Sequence, residues 1–148
     1  MRLFPKKENA RFTLSDPPLT VTRNFLSCKA KLRKLGVKYH NLGLDYFYFP
    51  GKLPGYDVDL MIGIHAFGFV VSYIEIFRTS EDWKRFGTID ESFREFSAAL
   101  ERLFGPPSFR TEPREDGSVH EEWEKPFRIV HYTMERFGME EHLWIYHR

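Results

Sequence analysis

A chain of 148 residues, 42% hydrophobic and 29% charged, holds enough material for one domain with its own core and too little for two ordinary ones. A single cysteine, Cys28, excludes an internal disulfide framework and fits a reducing compartment. The chain shows no signal-like start and no stretch long and apolar enough to span a bilayer, so a cytoplasmic setting with no membrane partner is expected. The net charge of +1 conceals an asymmetry that favours a charged partner: residues 1–40 hold ten Lys or Arg against two acidic residues, and residues 41–148 hold twelve against nineteen.

Residues 1–18 carry Pro5, Pro17 and Pro18 among charges and scattered Leu and Phe. This reads as an irregular lead-in with an edge strand around Arg11–Leu14. Val21, Phe25, Cys28, Leu32 and Leu35 then fall on one stripe at helical spacing, with Thr20 placed to cap the start and Gly36 the end. The remaining surface of this helix is basic, with Arg23, Lys29, Lys31, Arg33 and Lys34. Val37–Phe49, ending Tyr46-Phe47-Tyr48-Phe49, reads as a strand bent near Gly43, and Pro50–Gly55 as a turn.

The stretch from Val58 to Phe77 organises the rest. Val58, Leu60, Ile62 and Ile64 alternate with Asp57, Asp59, Met61, Gly63 and His65, the period of a strand with one buried face. A reversal follows near His65-Ala66-Phe67-Gly68. The second arm then sets Val70, Ile74 and Ile76 with Ser72 on one side, and Phe69, Val71, Tyr73 and Phe77 with Glu75 on the other. An arm apolar on both sides belongs in the middle of its sheet. Trp83 and Phe86, in the connector Thr79–Gly87, are expected to pack against that sheet.

Thr88 and Glu91 make a capping box for a second helix with the stripe Ile89, Phe93, Phe96, Leu100 and Leu103, stopped by Gly105-Pro106-Pro107. Two hairpins follow. Phe109–Pro113 and Val119–Trp123 flank the turn pair Asp116-Gly117, and Phe127–Met134 and Leu143–His147 flank a loop around Gly138. The predicted fold class is α+β: a single domain over 1–148, with one antiparallel, meandering sheet of about six or seven strands and two main helices on one face. The stripes Val21/Phe25 and Ile89/Phe93 recur sixty-eight positions apart, so the pattern admits an internal duplication of an αβββ unit.

Chemistry-bearing patterns are sparse. The six histidines, His40, His65, His120, His131, His142 and His147, lack the close spacing that announces a zinc site. Asp57, Asp59 and His65 share one face of a hairpin arm and form the best cluster for a small hydrolase or ligand-binding enzyme. Glu122 and Glu124 share a side as well, while Glu121 points opposite to them; a charged face on an exposed hairpin explains all three. Cys28 lies on the buried stripe. With no nucleophile elbow, phosphate loop or dinucleotide fingerprint, no catalytic residue, metal ligand or cofactor is expected. A basic first helix could neutralise phosphates, but lysines on an outer face are ordinary solvated surface and the acidic remainder repels a nucleic-acid backbone.

The strongest functional expectation concerns the sheet face away from the helices. Aromatics make up 17% of the chain, more than a core of this size needs. Phe69 and Tyr73, rimmed by Asp57, Asp59, His65 and Glu75, have the composition of a partner-binding patch. A homodimer or another segment covering that face would make it core instead.

The last sixty residues combine a capped helix ending Leu103-Phe104-Gly105-Pro106-Pro107, the Asp116-Gly117 hairpin, Trp123 and a closing Leu143-Trp144-Ile145-Tyr146. This layout resembles the carboxyl-terminal part of small bacterial toxin-immunity proteins of α+β type. The resemblance implies a non-enzymatic protein-binding module that binds and neutralises a cognate toxin or effector, and it carries no functional residue across. Helix and sheet order is similar, less closely, to secretion chaperones that hold an effector, although those are usually acidic dimers ending in a helix.

Overall fold

The computed structural model describes residues 11–79, 87–136 and 138–146. In chain order the elements are α1 (Phe25–Lys34), β1 (His40–Asn41), β2 (Tyr46–Leu53), β3 (Tyr56–Phe67), β4 (Val70–Arg78), α2 (Ile89–Phe104), β5 (Phe109–Arg110), β6 (His120–Trp123), β7 (Arg128–Glu135) and β8 (Met139–Tyr146). All eight strands join one antiparallel sheet in the order β1-β2-β3-β4-β8-β7-β6-β5. A helix followed by four strands thus occurs twice, and the fourth strand of each set meets the other at the centre. Against the expected six or seven strands, the added one is the two-residue β1, split by a reversal at residues 42–45 from the single strand expected over Val37–Phe49, and β5 keeps two residues of the strand expected over Phe109–Pro113. Each helix leads four strands, where the sequence pattern suggested three.

Both helices lie on the same face. Alternation along β3 buries Tyr56, Val58, Leu60, Ile62, Ile64 and Ala66, and pairing brings Phe47 and Phe49 of β2 alongside Ile64 and Ile62. Phe25 of α1 reaches Phe47 with ring centroids 5.0 Å apart, and Phe96 of α2 reaches Tyr56 at 5.9 Å. One continuous core results, extending through Leu143 and Ile145 of β8 to Ile129 and Trp123. The expected helix stripes are in it, with two changes at the ends. Leu35 is exposed and Ile89 only half-buried, whereas Ala99 is buried.

Capping separates the two helices. Thr88 caps α2, its hydroxyl accepting the Glu91 N–H at 3.2 Å, as the sequence indicated. For α1 the cap is Asn24, whose side-chain oxygen accepts the Ser27 N–H at 2.9 Å. Thr20 pairs instead with Thr13 in a bridge, because residues 12–21 double back as a small arm that buries Phe12, Leu14, Leu19 and Val21. The described part of the lead-in, from Arg11, is therefore a wall of the core. The arm is tied to the sheet by Lys52 N–H donating to Asp16 O at 2.6 Å.

That bond also explains why Pro50 and Gly51 sit inside β2 and not in a turn. Lys52 N–H points away from β3, and Pro50, two residues back, faces the same side. Its missing N–H therefore interrupts no ladder bond with β3. The reversal is confined to Pro54-Gly55, between Leu53 and Tyr56. The next reversal is Gly68-Phe69, two residues with φ of 57° and 65° joining Phe67 to Val70. A bulge follows at once: His65 pairs with Tyr73 and Ala66 with Val71, leaving Ser72 unpaired. The extra residue reverses the faces of the first two positions of β4. Val71 is buried with Ile74 and Ile76, and Val70 is exposed, opposite to the uninterrupted alternation expected from sequence. Trp83 and Phe86, residues 1–10 of the lead-in, and His147 lie outside the described residues.

Candidate protein-binding face

The side of the sheet opposite the helices carries the site proposed from sequence. Among the described residues no helix packs on it. Strand register builds a straight line of side chains across it: Tyr46 of β2 pairs with His65 of β3, His65 with Tyr73 of β4, Tyr73 with Tyr146 of β8, and Tyr146 with Arg128 of β7. Four strand spacings make this line roughly 19 Å long. Tyr46 and His65 stack at 4.1 Å and 20°, His65 and Tyr73 at 4.2 Å and 13°, and the Arg128 guanidinium lies 5.3 Å from the Tyr146 ring centre. A second row runs Tyr48, Gly63, Glu75, Trp144, Val130 and Glu122. Beyond it, His120, Tyr132 and His142 stack across β6, β7 and β8.

Gly63 is what allows the first row to close up. A Cβ there would stand 2.8 Å from the Tyr46 ring and hydroxyl, so any side chain would push Tyr46 off His65. The glycine is required for close approach of a ring and not for its backbone angles.

The chemistry of this face follows from how the rings stand. Stacking at 4.1–4.2 Å spends both faces of the His65 ring on Tyr46 and Tyr73, while the Tyr46 ring and hydroxyl lie over Gly63. Burial raises the Tyr46 phenol to about 12, with Glu75, Tyr48 and Tyr73 adding to the rise. Burial first and Glu75 second likewise raise Tyr73, so both remain neutral O–H donors at neutral pH. Carboxylates lie between the rings: His65 Nε2 is 3.0 Å from Glu75, His142 Nε2 is 3.2 Å from Glu140, and Arg128 donates to Glu122 at 3.0 Å. Two polar atoms here are closed off from solvent with no hydrogen-bond partner, Trp144 Nε1 and His120 Nε2. Glu122 approaches the latter only to 3.6 Å, too far for a hydrogen bond.

Of the six residues singled out from sequence, the structure gathers three: His65 stacks on Tyr73 and lies within hydrogen-bond distance of Glu75. Asp57 and Asp59 share the face but lie at the far end of β3, where Lys52 bonds Asp57 at 2.7 Å and approaches Asp59 at 3.8 Å. Lys52 holds the Asp57 carboxyl below its ordinary range. Six residues of strand separate Asp59 from His65, roughly 20 Å, so these three do not converge on a substrate. Phe69 sits in the β3–β4 turn, beyond the ring rows. Among the described residues no group of three or more His, Cys, Asp or Glu is placed to hold a metal ion.

A second polar constellation, absent from the sequence reading, lies on the helix side. His131 of β7 places Nδ1 2.9 Å from Glu121 of β6 and Nε2 2.7 Å from Glu141 of β8, and its ring stacks on Phe93 of α2 at 4.0 Å. A carboxylate only accepts, so both ring nitrogens donate and the ring is an imidazolium. Burial opposes that charge, but the hydrogen bonds and charges of Glu121 and Glu141 outweigh it and hold the His131 pKa above its ordinary value of 6.5. Ser97 and Arg110 complete Glu121 at 3.0 and 2.9 Å. Ser92 donates to Glu141 and in turn receives Arg78 Nε at 2.6 Å. The triad fastens α2 to three strands. His131 and Glu121 are fully enclosed, so no substrate reaches them. Glu121 shares strand alternation with buried Trp123, and Glu141 with Leu143 and Ile145, a sequence signal that was there to read.

No helix among the described residues is long and apolar enough to cross a membrane. No family model, curated protein or solved structure matches the chain.

Proposed function

We propose that this chain is a non-enzymatic, cytoplasmic protein-binding module of the immunity type, and that the outer sheet face is the surface on which a cognate toxin or effector docks. The observation that supports this most directly is the pair of unsatisfied polar atoms, Trp144 Nε1 and His120 Nε2, within rows of self-stacked rings on an open face. Leaving such groups unpaired is costly, and hydrogen-bonding groups on a partner would relieve it after small ring movements. Glu75, Glu122 and Glu140 outnumber Arg128 around the rings, so the fitting partner presents a basic surface, which would also speed encounter. The repeated order of one helix and four strands, with buried Phe25/Phe93, Cys28/Phe96 and Leu32/Leu100 at matching positions, supports an origin by duplication.

The test is affinity capture of the tagged chain from its native cells, followed by rescue of toxicity in a host expressing the captured partner. Glu75→Lys and Tyr73→Ala should each weaken that complex by about 1–3 kcal/mol while the chain stays folded. A chain that captures nothing, and runs in light scattering as a dimer that Glu75→Lys splits, would show that a second copy occupies the face and would overturn the proposal.

A further inference from the structure

One end of the sheet has a composition that the outer face does not explain. The β1–β2 turn, the β3–β4 turn and the first turn of α1 meet there: Ala66 N–H donates to Asp45 O at 2.8 Å, and Phe25 N–H donates to Phe69 O at 3.1 Å. From these three segments six large apolar side chains project into solvent. Phe67 is 87% exposed, Leu44 85%, Leu42 57%, Phe69 56%, Val70 54% and Leu26 53%. They account for six of the eight exposed large hydrophobics among the described residues.

Two further observations show that this end is more than scattered surface. Phe69 holds φ at 65° in a two-residue turn where Gly, Asn or Asp fits without strain. A bulky ring kept at that position, and kept exposed, contributes nothing to the core. Second, four backbone bonds tie the three segments to one another and to the sheet: Leu42 N–H to Tyr46 O, Ala66 N–H to Asp45 O, Phe25 N–H to Phe69 O and Val71 N–H to Arg23 O. The tip therefore offers mainly hydrocarbon. A protein hot spot combines apolar anchors with hydrogen-bonding groups in a fitted pocket. A projection of apolar side chains on a tied backbone suits shallow entry into a lipid surface, which needs no fitted pocket.

Charge completes the match. From Pro17 to Leu44 there is no acidic residue and there are six basic ones, Arg23, Lys29, Lys31, Arg33, Lys34 and Lys38. Arg23 stands at the base of the projection, and Lys31, Arg33 and Lys34 follow on the exposed side of α1, within about 15 Å along the helix. Asp45, with its carboxylate beside Gly43, sits within the tip. Lys29 folds back over Phe25, 4.8 Å from its ring centre, and is lowered by burial and by Arg33, so it belongs to the packing.

We propose that this end of the molecule docks on an anionic lipid surface, with Phe67, Phe69 and Leu44 entering the headgroup boundary and the α1 cations facing anionic headgroups. This surface adjoins the end of the first ring row, Phe67 lying two residues beyond His65 on the same face of β3, but the proposal does not rest on a toxin binding there.

The experiment is co-sedimentation of the full chain with vesicles of phosphatidylcholine alone and of phosphatidylcholine mixed with phosphatidylserine. Binding to the mixed vesicles that falls with added salt is expected, with little binding to phosphatidylcholine alone. Phe67→Ser should weaken it by about tenfold. Phe69→Gly is the variant that cannot fail by misfolding, since it relieves a strained turn. It should hold or raise the melting temperature and still weaken vesicle binding severalfold. No binding to either vesicle, or binding that both variants retain in full, overturns the proposal. So does a result in which both variants lose capture of a soluble acidic protein while vesicles are ignored, because the projection would then be a protein anchor.

Discussion

Replacing His131 by Leu is the sharpest test of how α2 is held. Leucine fills most of the space of the imidazole, so the change removes charge without opening a large cavity. Glu121 and Glu141, which faced ring nitrogens at 2.9 and 2.7 Å, would then face each other across hydrocarbon. Glu121 would keep Ser97 and the half-exposed Arg110, and Glu141 would keep Ser92. Breaking one partner out of a buried ion cluster costs about 3–5 kcal/mol, and losing the stack on Phe93 about 1 kcal/mol more. The assay is urea unfolding followed by far-ultraviolet circular dichroism across pH. In the parent chain the raised His131 pKa contributes stability that is fully present below its unfolded value of 6.5 and is lost as pH rises through the higher folded value. Burial pushes the Glu121 pKa up, but His131, Ser97 and Arg110 pull it down further, to a net lowering. Its contribution is therefore present above 4.5 and lost as pH falls through the folded value. Both groups contribute fully between those limits. In His131→Leu the alkaline loss should vanish, and stability should rise as acid protonates the abandoned carboxylates. A variant within about 1 kcal/mol of the parent, with an unchanged alkaline limb, would refute the imidazolium assignment.

Three further outcomes can be checked by the same unfolding measurement. Phe96→Ala, at a ring that is 1% exposed and lies 3.9 Å below the Arg78 guanidinium, should cost about 3–5 kcal/mol. Gly63→Ala should cost about 1–3 kcal/mol by overpacking. It should also weaken partner capture, because Tyr46 must leave His65. Asn24→Ala should cost about 1 kcal/mol as the loss of a helix cap, and Thr20→Ala clearly less; the reverse order would restore Thr20 as the cap.

Sequence periodicity located the hydrophobic core of β3 and the stripe of α2 because each is regular over many residues. It failed where one residue breaks the count. Ser72 bulges out of β4, so Val71 turned inward and Val70 outward against expectation. Asp57, Asp59 and His65 were legible as one face, but alternation says nothing about distance along that face, and Lys52 claims the two aspartates. The line Tyr46–His65–Tyr73–Tyr146 depends on the register of four strands, the last of which brings Tyr146 in from seventy-three positions beyond Tyr73, and no local pattern encodes that. The Glu121–His131–Glu141 triad stayed hidden for a chemical reason: charged residues read as solvent-facing until their neighbours by alternation, Trp123, Ile129 and Leu143, are counted.

The seam between β4 and β8 carries a consequence for how the chain is made. Within the sheet, three paired positions join the two four-stranded halves: Tyr73 with Tyr146, Ile74 with Ile145 and Glu75 with Trp144. Within each half, consecutive strands are neighbours, a local arrangement that forms quickly. The strand that completes the centre, β8, is also the last of the eight to leave the ribosome. Until it arrives, β4 and β7 each present an unpaired apolar edge, open to any other extended chain nearby. Cells that make this protein therefore face their greatest risk of aggregation during translation of its final strand, and a ribosome stalled before Met139 would release a far stickier product than one stalled within α2.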